Sequence, residues 1–265
     1  MMYGIIGGSG VYDPSMIEGA TRRTVQTPFG DVTVTTGRLG ASSVAFIPRH
    51  GANHGVPPHL VNYRANIWAL KQIGVTRVIS TSAVGSLKHS ITPGSYVVLS
   101  NFLDFTKRRP TTYYEGAESV IGDQDVVHID VTEPYCPQLR DVLYDAGREL
   151  DLPMISKGVY VCTEGPRFET SSEIGMFSIL GGDVVGMTNV PEVVLARELE
   201  MCYASVAMVT NYAAGISSTK LTHAEVMEIM SQNIASIKEL IRAVIPMIPE
   251  ERTCPCPTLL QGAKG

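Results

Sequence analysis

The sequence predicts a single α/β layered domain with a mainly parallel or mixed sheet. Three observations lead there. Short, continuous apolar runs bounded by turn residues recur along the chain, helical patterns lie between them, and no linker, low-complexity tract or internal repeat divides the whole. Strands are expected at 3–6, 32–36, 43–48, 77–82, 96–99, 157–161, 184–187 and 203–210, most of them apolar on both faces as buried strands are. Helices are expected at 61–73, 133–150, 169–180, 190–201 and 222–247. The last is opened by Thr222 with Glu225 three residues on, the spacing of a capping box. After Pro246 the periodicity is lost. Residues 1–248 are therefore read as the domain and 249–265 as an extended or mobile C-terminal tail rich in Pro, Gly and Cys.

At 265 residues the chain is long enough to bury most of its apolar surface without disulfides. A net charge of -5 and an isoelectric point near 5.7 give no electrostatic footprint for nucleic acid or an anionic membrane. No run approaches the roughly 20 apolar residues of a membrane span, and no basic leader precedes the first strand. The expected setting is the cytoplasm. Cys136, Cys162 and Cys202 sit among apolar neighbours and read as buried free thiols. Cys254 and Cys256 form a Cys-Pro-Cys that is either a redox clip or half of a soft-metal site. With no partner Cys or His pair near it in sequence, free surface thiols are the favoured reading.

Several motifs carry chemistry. Gly7-Gly8-Ser9-Gly10 follows the first strand, where glycines turn the backbone toward an anion and Ser9 offers a hydroxyl. The dinucleotide spacing G-x-G-x-x-G is not met, so a phosphate outranks a dinucleotide. Arg49 and His50 close a strand, a place from which side chains project over the crevice of an α/β sheet, and an Arg can grip two phosphate oxygens at once. The histidines lack H-E-x-x-H or comparable spacing, so no catalytic metal is expected. Taken alone, Glu169 reads as a helix N-terminal acid, Asn211 as a loop former, His223 as a solvated residue, and Phe168 and Met187 as core.

Read together, Gly7-Gly8-Ser9-Gly10, Pro48-Arg49-His50-Gly51, the run from Thr163 to Thr170, the run from Gly186 to Glu192, Val209-Thr210-Asn211-Tyr212-Ala213-Ala214-Gly215 and Leu221-Thr222-His223 resemble the trimeric purine nucleoside phosphorylase and methylthioadenosine phosphorylase family. The resemblance runs from about residue 4 to about residue 245 and implies a three-layer fold with a central mixed sheet flanked by helices. It implies reversible phosphorolysis of 6-oxopurine nucleosides such as inosine and guanosine, in purine salvage. Inorganic phosphate is then the cosubstrate, no cofactor is needed, and the assembly is a homotrimer or a hexamer. Ser9, Arg49, His50, Ser82, Ala83 and Thr188 would hold phosphate, and Met187 the ribose. Phe168 would pack on the purine, Tyr212 and Ala213 would flank it, and His223 would reach the 5′ end of the sugar.

The resemblance also frames base choice. A 6-oxopurine presents an N1–H donor, which an ionised Glu169 accepts, while Asn211 can accept from a protonated N7 and donate to O6. Adenine-directed members carry Asp at the positions of Asn211 and Ala213. His223 favours 5′-hydroxyl nucleosides, because methylthio-directed members carry an apolar residue there. Wording such as Val61-Asn62-Tyr63-Arg64 stands closer to the methylthio branch, so methylthioinosine and methylthioadenosine are the alternative substrates. His128, lent by a neighbouring subunit, and His54 are further candidates for the 5′ pocket. A nucleoside-binding protein without turnover is the reading outside catalysis.

Overall fold

A computed structural model describes residues 1–8, 16–121, 125–217 and 223–264; for 223–228, 230 and 232 it describes the helical backbone alone. Among the described residues there are nine strands and five helices, four strands coming before the first helix: β1 (Met2–Gly7), β2 (Glu18–Val25), β3 (Val32–Leu39), β4 (Ser42–Pro48), α1 (Tyr63–Gln72), β5 (Val75–Ser86), β6 (Tyr96–Phe105), α2 (Pro137–Glu149), β7 (Met154–Thr163), α3 (Ser171–Ile179), β8 (Val184–Gly186), α4 (Asn189–Glu198), β9 (Cys202–Tyr212) and α5 (His223–Met247). The strands form one mixed sheet, as the sequence predicts, and its order is β2-β3-β4-β1-β5-β8-β7-β6-β9. Because β9 pairs with β5 as well as with β6, the last five strands close into a ring.

Three layers follow from where the apolar faces point. Ala65, Ile67, Ala69 and Leu70 of α1 and Val193, Leu195 and Ala196 of α4 join one core cluster. Leu139, Leu143 and Ala146 of α2 and Ile237, Leu240, Ile241, Val244 and Ile245 of α5 join another. Within α5 these positions recur at three- and four-residue steps, which sets one stripe against the sheet. Residues Ile174 and Phe177 of α3 close a smaller third cluster over Val161 and Val185.

The structure moves several expected boundaries. β2 is absent from the predicted strands: its residues are nearly all exposed, so no apolar alternation marks it. It holds its place by antiparallel pairing with β3, and the charges of Arg22 and Arg23 suit an unpaired edge. α3 begins at Ser171 instead of Glu169, because Thr170 caps it: its hydroxyl accepts from the Glu173 N–H at 3.1 Å and the Glu173 carboxylate accepts from the Thr170 N–H at 2.7 Å. Glu169 thus lies before the helix, and the macrodipole role read for it falls to Glu173. The Thr222 end of α5 and its proposed capping box lie outside the described residues.

The tail differs most from expectation. It is docked, not extended. Fully buried Arg77 on β5 donates through Nη2 to the carbonyls of Pro249 and Glu250 at 2.7 and 2.6 Å. Arg252 donates to the Glu200 carbonyl, Val127 bridges to Lys264, and Cys256 is buried in the core cluster of α2, β9 and α5.

Candidate active site

Strands β1, β4, β5 and β9 run parallel, so their carboxyl ends meet at one edge of the sheet. A crevice outside such ends is where open α/β sheets bind ligands. Here it is a cavity of about 930 Å³. Arg49, His50, Ser82, Ala83, Phe168, Glu169, Met187, Thr188, Asn211 and Ala213 all line it, although the sequence scatters them over more than 160 positions. His54 lines it too, its ring 4.7 Å from that of His50. Tyr212 does not: its side chain turns to the His89 carbonyl. His128 also lies off the cavity in this chain, its N–H donating to the Ala263 carbonyl. Ser9 and the side chain of His223 lie outside the described residues.

One end of the cavity is cationic and rich in donors. The Arg49 side chain is fully buried, and its fork does not face the cavity as the sequence reading expects. Nε and Nη2 grip the two oxygens of Glu192 at 2.7 and 2.8 Å, Nη2 also meets the Ser80 hydroxyl, and Nη1 donates to the Thr81 carbonyl at 2.9 Å. What Arg49 keeps for a ligand is one Nη1 hydrogen and its charge. Burial alone would lower its pKa, but the charge and hydrogen bonds of Glu192 raise it, so the guanidinium is permanent. Glu192 is equally dry and accepts further bonds from the Tyr203 hydroxyl at 2.7 Å and the Ser80 hydroxyl at 3.1 Å. The sequence reading gives Glu192 no role, although it closes the motif that contains Met187 and Thr188.

His50 is neutral at ordinary pH: burial and the charge of Arg49 push its pKa down to about 4. Its Nδ1 lies 2.8 Å from the Val56 carbonyl, which only an N–H can satisfy, so Nε2 carries the lone pair. Ser82 Oγ is buried and has no hydrogen-bond partner among the described residues. An orphaned buried hydroxyl is costly unless a ligand satisfies it. Thr188 precedes α4 without capping it by its side chain. Its N–H donates to the Tyr160 hydroxyl at 3.1 Å, and that ring fits only because residue 186 is glycine: a Cβ there would run into the hydroxyl.

The other end is built to accept and donate. Glu169 Oε1 accepts from the Thr163 hydroxyl at 2.6 Å. Burial raises the carboxyl pKa, and the Thr163 bond offsets this only in part. Asn211 sits near the end of β9, its Oδ1 accepting from the Thr210 hydroxyl at 2.8 Å and its Nδ2 donating to the Tyr212 carbonyl at 2.9 Å. Gly85 makes room for it, since a Cβ there would stand 3.1 Å from Nδ2. Buried Ala213 adds no polar atom beside it. Phe168 stands at the mouth, 44% exposed, an apolar ring without full cover.

A family model described as the phosphorylase superfamily matches residues 2–246. The chain belongs to that superfamily. It is 56% identical over 262 residues to the 6-oxopurine nucleoside phosphorylase of Pyrococcus furiosus, covering 98% of each chain. It is 52% identical to a probable S-methyl-5′-thioinosine phosphorylase of Methanothermobacter thermautotrophicus, over 99% of this chain and 90% of the relative. Among solved structures, the methylthioadenosine phosphorylase of Schistosoma mansoni in complex with adenine superposes with a TM-score of 0.93 at 33% identity, over 100% of this chain and 99% of that one. The mixed-sheet fold predicted from the motifs is thus the fold of this superfamily. Among the described residues no helix is long and apolar enough to cross a membrane.

Proposed function

We propose that the protein catalyses reversible phosphorolysis of 6-oxopurine nucleosides, giving a free purine and ribose 1-phosphate. The observation that carries the reading is a single cavity with an orphaned hydroxyl and a permanent cation at one end, and a carboxylate beside an amide at the other. Phosphate would sit on Ser9, Arg49, His50, Ser82, Ala83 and Thr188, beneath C1′ of the sugar. Its negative charge stabilises the oxocarbenium character that develops as the base departs, and it then attacks C1′. Neutral His50, with its Nε2 lone pair, suits an anion that still carries a P–OH. Met187 would lie against the ribose.

At the base, Glu169 accepts from N1–H while Asn211 stabilises the purine as N7 gains a proton. Groups fixed in advance interact more strongly as that charge develops than they do in the ground state. No covalent nucleophile and no cofactor enters the scheme. The working assembly is proposed to be a homotrimer or hexamer, acting in purine salvage in the cytoplasm. Product analysis tests the reaction class. With inosine and phosphate, hypoxanthine and ribose 1-phosphate should form one to one; free ribose instead would make the protein a hydrolase.

Two outcomes follow for specificity. Glu169 must be ionised to accept from N1–H, and burial raises its pKa, so kcat/KM for inosine should fall on the acid side with a midpoint above the ordinary Glu value of about 4.3. Glu169→Gln should abolish that limb. An acid limb that survives in the variant would assign it to another group. By linkage, a carboxyl with a raised folded-state pKa contributes stability below its unfolded pKa and loses that contribution as pH rises through the folded value. The ionised, binding-competent form is therefore the less stable one.

His223→Leu should weaken inosine use by roughly tenfold, the scale of one lost hydrogen bond, and leave methylthioinosine use nearly unchanged. Equal losses on both substrates would remove His223 from the 5′ pocket. The second reading, a methylthioinosine phosphorylase, draws on the 52% identity to the Methanothermobacter relative, below the 56% to the Pyrococcus one, and would keep the base assignment intact.

A further inference from the structure

At the end of the sheet away from the cavity, four of the five cysteines converge. Cys136, Cys202, Cys254 and Cys256 place their Sγ atoms within 4.8 Å of one another, with Cys202 and Cys254 3.4 Å apart. The sequence offers the Cys-Pro-Cys pair no neighbour, but the fold supplies two. Cys136 caps the start of α2, its N–H donating to the Tyr203 carbonyl, and Cys202 opens β9. The docked tail brings Cys254 and Cys256 onto both. From Cys202 the strand runs about 30 Å to Asn211 at some 3.3 Å per residue, so the cluster lies well apart from the catalytic pocket.

We propose that these four thiolates form a closed structural site for a soft divalent cation, zinc by preference, which fastens the tail to the body of the fold. Zinc bound by four cysteines is tetrahedral with Zn–S bonds of about 2.3 Å, which sets sulfur–sulfur edges of about 3.8 Å. The observed separations, 3.4 Å for Cys202 and Cys254 and none above 4.8 Å, bracket that edge, so shifts of no more than about 1 Å bring the four sulfurs onto a central ion. Four ligands leave no open position for substrate or water, as in structural sites and unlike catalytic ones. A Cys-x-Cys pair joined by two single cysteines from separate elements gives a compact soft-donor set, and soft thiolates select zinc over the hard cations.

The surroundings suit the charge. Binding releases the thiol protons and leaves two net negative charges on the ion and its four thiolates. The N-terminal end of α2 stands at Cys136, and its dipole favours a thiolate. The guanidinium of Arg252 acts on Cys202, and that of Arg197 on Cys136 and Cys256. Arg197 is itself fixed by the carbonyls of Asp130 and Glu133 at 2.8 and 2.7 Å, in the segment leading to Cys136. Cys162, the fifth cysteine, lies in the other core cluster, with its Sγ against Val190, and takes no part.

The test is elemental analysis of the purified full chain, produced in zinc-containing medium and handled under reducing conditions, with cobalt as the spectroscopic probe. The expected result is about one zinc per chain. Cobalt-loaded protein should show the intense visible bands of a tetrahedral tetrathiolate, and four thiols should become alkylatable only after denaturation with a chelator. Cys254→Ser, which alters a partly exposed tail residue, should lower zinc content and the unfolding temperature while retaining phosphorolysis below that temperature; Cys162→Ser should retain zinc. Zinc far below stoichiometry in the wild-type chain overturns the proposal. That holds whether the four sulfurs are then found paired as disulfides or as four free thiols. Retention of full zinc in Cys254→Ser overturns it as well.

Discussion

Asn211→Asp should lower phosphorolysis of inosine by two to three orders of magnitude and raise activity on adenine nucleosides. The geometry gives the reason. Nδ2 of Asn211 donates to the Tyr212 carbonyl, and Oδ1 is held by the Thr210 hydroxyl. An ionised Asp would set a carboxylate oxygen against that carbonyl, acceptor facing acceptor, and would remove the only donor that residue 211 can offer to O6 of the purine. Sites that mispair buried polar groups discriminate by up to about four to five orders of magnitude. A 6-amino group, by contrast, donates, and a carboxylate accepts from it. Ala213 lines the same cavity, so the double replacement with Asp at 211 and 213 should carry the shift further. Steady-state kinetics on inosine and adenosine decide the matter, and an unchanged preference in both variants would place base selection elsewhere.

Glu192→Gln should be the most damaging single change to the fold. It keeps the shape of the side chain but removes the charge that balances Arg49, and both side chains are completely excluded from solvent. Breaking such a pair from one side leaves an uncompensated buried charge and costs about 3–5 kcal/mol. For a chain of this size that corresponds to a drop of roughly 6–20 °C in the unfolding midpoint. The same change frees the Arg49 fork, which then swings or draws in water, so the KM for phosphate should rise by at least tenfold. Thermal unfolding followed by circular dichroism, with phosphate saturation curves on the same variant, measures both effects. A midpoint within 2 °C of the parent would contradict the energetic role given to this pair.

Much of the architecture is legible in the sequence because buried strands announce themselves. The runs near Ile5, Ile79, Val97 and Val206 are apolar on both faces and read as strands from sequence alone. Structure held by pairing instead of by burial carries no such signal. β2 has almost no buried residue, and the outer half of β6 carries Ser100, Asn101 and Asp104 within its ladder to β7. In the site, residues inside compact motifs were legible: Arg49, His50, Thr188, Glu169 and Asn211 all line the cavity. Their orientation was not. Arg49 and Glu192 are 143 positions apart, and nothing local reveals that one consumes the fork of the other. The cysteines make the same point, since Cys202 and Cys254 meet across 52 positions only when the tail docks.

The most direct test of the account is purine release from inosine, methylthioinosine and methylthioadenosine, each with and without phosphate, on one purified sample. Phosphate-dependent release of hypoxanthine from inosine is expected, with little adenine from methylthioadenosine. A preference for methylthioinosine would keep the roles of Glu169 and Asn211 and remove that of His223. Efficient release of adenine, or release from inosine that does not need phosphate, would contradict the account at its centre.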